Sequence, residues 1–241
     1  SIRYGPQQWW PSDTSFEMIL GAILTQSTNW TNAHKALNNL RQFGVLNLHC
    51  ISELSIDVLA SLLRPSGYFN QKALKVKAFV DHLRNHHNND LGSFLTQPAD
   101  KLRKELLSIY GIGEETADDI LLYAAGQPFF VIDAYTKRIL RRVGVRPQND
   151  SYGAWQSLFH ISLPRDADSY NEYHALFVAH GKETCQKNPK CTDCCILELC
   201  QFGSDEESRP AFHRSGPDTN RRTCPRAERT GAHSRRSRAL R

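Results

Sequence analysis

The sequence predicts an all-α protein, and three observations carry that expectation. Apolar residues recur at helical spacing in separate segments, as at Phe16, Ile19, Leu20, Ile23 and Leu24, and again at Ile132, Tyr135, Ile139, Leu140 and Val143. Turn-forming clusters such as Arg64-Pro65-Ser66-Gly67 and Gly126-Gln127-Pro128 punctuate these segments. The stretch from Leu106 to Val145 reads as a helix, a two-glycine hairpin, a second helix, a turn, a short apolar run and a third helix.

Trp9-Trp10-Pro11 precedes the first helix, which Thr14-Ser15-Phe16-Glu17 opens as a capping box, with Thr14 as N-cap and Glu17 reaching back to it. The helix ends at the polar loop Thr25-Gln26-Ser27-Thr28-Asn29-Trp30. Further helices are predicted around Asn32 to Leu40, Ile56 to Leu63 and Asn70 to Arg84. Lys72, Lys75 and Lys77 follow the turn that ends at Tyr68, and their plain reading is a solvated helix face, above all for Lys75. His82, His86 and His87 stand close together, but no cysteine or second histidine group pairs with them. No site is assigned to them, and residues 85–90 read as a polar loop. Pro98-Ala99-Asp100 starts the helix that leads into the hairpin. The helix beginning near Asp133 carries Lys137, Arg138, Arg141 and Arg142 opposite its apolar side, so it can pack inward while touching phosphates outward. Tyr173 to His180 reads as a helix that delivers the chain to a run of cysteines. From Ser204 onward Ser, Pro, Gly and Arg dominate, and residues 204–241 are expected to form a disordered basic tail, because apolar residues are too sparse to offset ordering entropy.

A chain of 241 residues with 40% hydrophobic residues can bury a real core in one or two domains. No run approaches the roughly 18 apolar residues of a membrane span, so no membrane partner is expected. No basic segment followed by an apolar one opens the sequence, so no signal peptide is evident. A net charge of +5 permits an anionic partner without demanding one. Of the seven cysteines, Cys185, Cys191, Cys194, Cys195 and Cys200 crowd one stretch. A disulfide framework would spread them over the loops it staples, so a metal centre in a reducing compartment is expected.

Gly111-Ile112-Gly113 is a turn that two close glycines make accessible. The helix behind it starts with backbone N–H groups that lack intrahelical partners, which suits a phosphate. Gly111-Ile112-Gly113-x-x-Thr116-Ala117, then Val131-Ile132-Asp133, then the basic helix resembles the helix-hairpin-helix DNA glycosylases of the endonuclease III superfamily. The resemblance runs from about Trp9 to Cys200. It implies an all-α fold of two lobes with a DNA groove between them. One lobe is a helical barrel over residues 12–126, and the other joins residues 1–11 to 127–203. The implied partner is double-stranded DNA containing a damaged base, bound by a monomer, and the implied location is the cytoplasm, in association with DNA.

Residue by residue, the resemblance places Gln26 where the family inserts a glutamine into the gap left by a flipped base. It gives Gly111, Ile112, Gly113, Lys72 and Lys137 contacts to the DNA backbone. Trp30 either stacks on the extruded base or belongs to the core. Breaking an N-glycosidic bond builds positive charge on the sugar, which a carboxylate can stabilise while it orients the attacking water. Asp133 fits that role; it is also a good helix N-cap, and the two readings are compatible. Bifunctional members carry a lysine on the helix after the hairpin, and Glu115 stands at that position here. A carboxylate forms no Schiff base, so a monofunctional glycosylase of the 3-methyladenine type is expected, excising alkylated bases. The alternatives are a bifunctional glycosylase and lyase of endonuclease III type, or a non-catalytic DNA-binding protein. Glu115 either turns away from the DNA or faces the base pocket. A glutamate that adenine-mismatch members carry on the first helix is replaced by about Gly21.

Cys185-x5-Cys191-x2-Cys194-x5-Cys200 sets four thiolates at short spacing, able to close around one metal centre. Zinc is the rival reading, although zinc sites usually show two tight Cys-x2-Cys knuckles. The graded spacing resembles the [4Fe–4S] loop of the same superfamily, with five residues rather than six in the first gap. Cys195 is the spare thiol.

Overall fold

The computed structural model describes residues 2–205, which form helices and connecting turns. The expected disordered tail lies, past Asp205, outside the described residues. In chain order the helices are α1 (Ser15–Thr25), α2 (Trp30–Gln42), α3 (Leu48–Glu53), α4 (Ile56–Leu63), α5 (Phe69–His87), α6 (Leu91–Leu95), α7 (Ala99–Ser108), α8 (Glu114–Asp119), α9 (Ala134–Val143), α10 (Tyr152–Ser162), α11 (Ala167–Glu183) and α12 (Gln201–Ser204). A π turn, Ile120–Ala124, continues α8.

Local chemistry explains where the helices start. Thr14, Asn29, Asn47, Ser55, Asp90, Asp133, Ser151 and Asp166 each accept the backbone N–H three residues ahead. Each such cap satisfies one orphan donor and is worth about 1 kcal/mol. The capping box at α1 is only half made. Thr14 Oγ1 accepts from Glu17 N at 3.1 Å, but the Glu17 carboxylate turns to Arg41 Nη2 at 2.5 Å instead of reaching back. An arginine from α2 is a stronger partner for a nearly buried carboxylate than a neutral amide.

Two apolar cores organise the chain. The larger surrounds α1, whose Met18, Ile19, Leu20, Ile23 and Leu24 are fully buried among residues of α2, α4, α5, α7 and α8. The smaller gathers Leu122, Phe130, Val131, Ile132, Trp155, Phe159 and Tyr170, with Phe130 stacked on Phe159 at 3.6 Å between ring centroids. The π turn hands the chain from one to the other: Ile120 and Leu121 belong to the first core and Leu122 to the second. The N-terminal segment packs on α11, where the Tyr4 hydroxyl bonds His180 Nδ1 at 2.9 Å and Thr184 Oγ1 at 3.0 Å.

Helix α4 has the bounds that its pattern predicts, while α2, α5 and α11 run longer than expected, with α5 continuing through His87 into the predicted polar loop. The lysines of α5 are a larger correction. Lys72 does not face the DNA backbone: it is 2% exposed, and its Nζ donates to Leu24 O at 2.8 Å and Ser66 O at 2.6 Å. Burial first, and Lys75 second, lower its pKa to about 8. Lys77 Nζ likewise donates to Ile51 O and Ser52 O at the end of α3. Helix periodicity put these ammonium groups outside, but carbonyls left over at neighbouring helix ends draw them in.

Replacing Lys72 by methionine keeps the length of the side chain and removes the donor from two carbonyls. Urea unfolding is expected to show a loss of about 2–4 kcal/mol, the cost of leaving buried acceptors unpaired. The slope of nucleic-acid affinity against salt should stay unchanged in the folded variant; a shallower slope would return Lys72 to the binding surface.

Candidate active site

The hairpin is the joint between α7 and α8. Gly111 adopts φ +84°, and a Cβ there would stand 2.2 Å from Lys75 Cγ, so both the left-handed backbone and the close approach require glycine. Ile112 is 5% exposed and packs into the larger core, which leaves the backbone as what the hairpin offers outward. Gly113 is extended and caps α8 without a side-chain bond.

Gln26 ties the end of α1 to this hairpin. Its Nε2 donates to Gly111 O and Thr116 Oγ1, both at 2.9 Å, while its Oε1 accepts from Lys75 Nζ. The amide is therefore fully engaged within the protein. Lys75, read from sequence as solvated, is the lysine that lies beneath the hairpin.

Asp133 follows a non-helical run, Phe129–Ile132, which has no neighbouring strand among the described residues to satisfy its backbone. One face of α10 does so instead. Tyr152, Gln156 and His160 are spaced four residues apart and lie in a row on the helix. Ile132 N donates to the Tyr152 hydroxyl at 3.2 Å, Phe130 N donates to His160 Nε2 at 3.1 Å, and Gln156 Nε2 donates to Phe130 O at 2.8 Å. The same Gln156 amide donates to Asp118 Oδ2 at 2.7 Å. Asp118 is fully buried, and Arg103 clamps it from α7 through Nε at 2.7 Å and Nη2 at 3.2 Å.

Asp133 Oδ1 accepts from Thr136 N at 2.7 Å as the N-cap of α9, and Oδ2 stands 3.7 Å from His174 Nε2. The Tyr123 hydroxyl holds the other imidazole nitrogen at 2.5 Å. With Nε2 facing an anion, that nitrogen carries the proton, and Nδ1 accepts from Tyr123. Burial pushes the Asp133 carboxyl up, but His174 and Thr136 together bring it below its ordinary value. The neighbouring carboxyls move the other way. Burial first, then the charge of Asp133, raises Glu115. Burial and the surrounding Glu115, Asp133 and Asp118 push Asp119 well above the usual carboxylate range. Environments that drive adjacent carboxyls apart mark Asp133 as the standing anion.

Gln26, Trp30, Glu115 and Asp133 all line one open cleft of about 630 Å³, together with Trp9, Trp10, Asp119, His174 and Lys182. Trp10 and Trp30 meet edge to face at 5.2 Å, and Trp10 lies 5.4 Å from Tyr123. Gly21 makes room for them: a Cβ there would reach Trp30 at 3.0 Å and the Trp10 Nε1 at 3.2 Å. From sequence alone Trp9 and Trp10 carry no role and His174 gives no signal, Asp119 reads as one of the acids that open the helix after the hairpin, and Lys182 reads as a phosphate-facing lysine beside the cysteines rather than as part of the cleft. Lys182 lies over the Trp9 ring at 5.4 Å, its pKa lowered by burial. Lys72 and Lys137 are not among the residues of the cleft.

Helices that enclose such a cleft, with a two-glycine hairpin on one side, have clear relatives. A model of the HhH-GPD superfamily of base excision DNA repair proteins matches residues 20–163. The chain belongs to this superfamily. It is 43% identical over 198 residues to a provisionally named DNA repair glycosylase of Methanocaldococcus jannaschii, covering 82% of this chain and 90% of that one. Endonuclease III of Sulfolobus acidocaldarius is 30% identical over 192 residues, 79% of this chain and 83% of its own. Among solved structures, a 3-methyladenine DNA glycosylase of H. pylori bound to 1,N6-ethenoadenine superposes with a TM-score of 0.65 at 28% identity, covering 76% of this chain and 91% of that one. A trapped endonuclease III–DNA intermediate shares the fold with a TM-score of 0.70 at 22% identity, over 80% and 86% of the two chains. The protein is thus a base excision DNA repair glycosylase of this superfamily with the helix-hairpin-helix fold.

The cysteine loop lies beyond α11. Cys185, Cys191, Cys194 and Cys200 line one small enclosed cavity, and Cys195 stays outside it, exposed. Two of the three arginines of α9, Arg138 and Arg142, turn to this loop and the end of α11, whereas Arg141 stays outward and pairs with Asp150 at 2.6 Å. Arg138 donates to Cys185 O and Gly181 O, and Arg142 donates to Gln186 O, Lys187 O and, at 3.2 Å, Cys185 Sγ. Loop carbonyls left without helical partners attract the guanidinium groups more strongly than solvent does.

His160 yields a pH prediction. Burial first, then Arg165 and Arg103, lowers its pKa to about 4, which keeps Nε2 an acceptor for Phe130. The folded protein therefore binds this proton less tightly than the unfolded chain, whose value is about 6.5. Stability from this group is complete above about pH 6.5 and falls as the pH drops toward 4, by about 1–2 kcal/mol once solvent screening of a half-buried ring is allowed for. His160→Gln retains an acceptor without the titration. Melting curves between pH 7 and 5 should show a smaller decline for the variant than for the wild type; parallel declines would refute the assignment.

Proposed function

We propose that the protein is a monofunctional glycosylase that hydrolyses the N-glycosidic bond of a cationic, alkylated base. The observation that carries this reading is the cleft itself: tryptophan faces together with three carboxyl groups, of which Asp133 is the anion. An electron-poor planar cation gains from aromatic faces and from nearby carboxylates in a way that a neutral base does not. Such a base would also draw Glu115 toward its ionised form and so reverse the effect of burial. Trp30 and Trp10 would sandwich or abut the flipped base, and Gln26 would fill the gap it leaves. The hairpin backbone at Gly111, Ile112 and Gly113 would receive a phosphate, with Lys75 beneath it and Lys137 on α9 nearby.

In this reading Asp133 acts on the sugar. As the bond to the base lengthens, positive charge develops at the anomeric carbon, and the fixed carboxylate stabilises it. Water adds to that carbon, and its proton passes to a basic group, Asp133 being in position to orient and accept it. The base leaves with the bonding electron pair, which neutralises its own positive charge. His174 and Thr136 keep the carboxylate ionised and aimed.

A second reading, a glycosylase with lyase activity, rests on Lys182. It is an amine in the cleft with a lowered pKa, the property a Schiff-base nucleophile needs. Glu115 at the position of the family lysine argues for water instead.

The four thiols fit a [4Fe–4S] cluster. A single zinc ion with bonds of about 2.3 Å would hold its sulfurs about 3.8 Å apart. Among the described residues, no three of these sulfurs lie within 4.8 Å of one another. A cluster binds its thiolates at separate corners and suits the wider spread. When bound it would order the loop against α9, where Arg142 offsets thiolate charge.

Asp133→Asn preserves size and much of the capping. Excision from alkylated duplex, read as alkali-labile sites, should fall about a hundredfold or more while DNA binding persists; retention of activity would remove Asp133 from the chemistry. Borohydride reduction should trap no adduct with the wild type. A strong adduct that disappears in Lys182→Gln would establish the lyase reading in its place. Protein purified without oxygen should carry about four iron per chain, reduced by Cys194→Ser and unaffected by Cys195→Ser. Zinc without iron would overturn the cluster.

A further inference from the structure

A second convergence of ligating side chains lies outside the cleft and the cysteine loop. His82 and His87, near the end of α5, both bring Nε2 to one oxygen of Glu105 on α7, at 2.8 Å and 2.5 Å from Oε1. The three ligating atoms lie within 4.8 Å of one another. Gln97 Nε2 donates to the other carboxylate oxygen at 2.9 Å, which orients the group and leaves Oε1 to the imidazoles. Phe94 of α6 packs edge-on against both rings, so the side chains are only 17–20% exposed. Burial would raise the Glu105 carboxyl, but the hydrogen bonds from His87, Gln97 and His82 outweigh it and bring the pKa down to about 2. The histidines looked partnerless in the sequence because Glu105 lies on another helix.

We propose that His82, His87 and Glu105 form a binding site for a divalent first-row transition-metal ion, zinc foremost, which clamps the end of α5 to α7. Two imidazoles and one carboxylate are a donor set that zinc accepts, with water completing the tetrahedron. Bonds of about 2.0–2.1 Å place ligand atoms about 3.3 Å apart in such a site. The two histidine–carboxylate separations need to open by less than about 1 Å, a matter of side-chain rotation. The ion takes each imidazole at Nε2 in the neutral form that carries its one proton on Nδ1; a doubly protonated ring gives up its Nε2 proton to solvent, and a neutral ring protonated at Nε2 first moves that proton to Nδ1 by exchange with solvent. Nitrogen and oxygen donors distinguish this site from the thiolates of the cysteine loop. Gln97 serves as the outer partner that fixes the carboxylate. The clamp has a place in the fold: α5 carries Lys75 beneath Gly111, and α7 runs directly into the hairpin.

The test uses the full chain with its cysteine centre intact, zinc chloride as the probe, and His82→Gln, His87→Gln and Glu105→Gln beside the wild type. Glu105→Gln keeps the shape of the group and a hydrogen-bonding amide, so it guards against misfolding. The wild type should retain one more zinc per chain than each variant after gel filtration, with affinity lowered about a hundredfold or more by loss of a ligand. Zinc should raise the melting temperature of the wild type alone, and long-range 1H–15N spectra should show Nε2 of both His82 and His87 shifting on titration. Equal zinc content in wild type and variants, or imidazole signals that do not respond, would overturn the site.

Discussion

The buried carboxylate of Asp118 is the constraint on which the working geometry depends. An unpaired charge at zero exposure would be prohibitively costly, so Arg103 and Gln156 must converge on it. In doing so they bring together α7 before the hairpin, α8 after it and α10 of the smaller core. Gln156 then passes the restraint to Phe130 O, three residues from Asp133. Hairpin and carboxylate are thereby set relative to each other by one polar knot between two apolar cores. The knot also accounts for a non-helical run that survives without a sheet: three side chains of a helix replace the missing neighbour strand.

Much of this was legible in the sequence, and the parts that were not share a physical reason. Helical spacing exposed α1 and α9, capping residues marked helix starts, and the paired glycines with Val131-Ile132-Asp133 disclosed the family. These signals are local, written within one or two turns. The role of Lys72 was not legible, because the carbonyls that capture it belong to Leu24 and Ser66, one of them 48 residues away. Arg138 and Arg142 misled for the same reason, their acceptors lying more than 40 residues on, in the last turn of α11 and in the cysteine loop. His174 had no local pattern at all; it matters only because α11 crosses α9 beside Asp133. Periodicity reports which face is polar but not whether the polar groups find water or protein.

The aromatic floor of the cleft illustrates how an absence in sequence becomes a presence in space. Gly21 registered only as a missing glutamate. In the fold, its bare backbone lets Trp10 and Trp30 approach α1, and the volume a side chain would occupy is filled by indole. The same position therefore exchanges a polar contact for a stacking surface.

The π turn at Ile120–Ala124 makes the inner side of the cleft sensitive to chain length rather than to composition. One residue too many for a regular helix is accommodated there, and the widened turn brings Tyr123 against both His174 and Trp10. Losing one residue early in this turn would let the ordinary helical pitch return and swing the side chains that follow within it, Tyr123 among them, by about 100°. No single substitution in the cleft reproduces such a rotation. Tyr123 thus keeps its place against His174 and Trp10 by the count of residues in the turn behind the cleft, whatever side chains line the pocket.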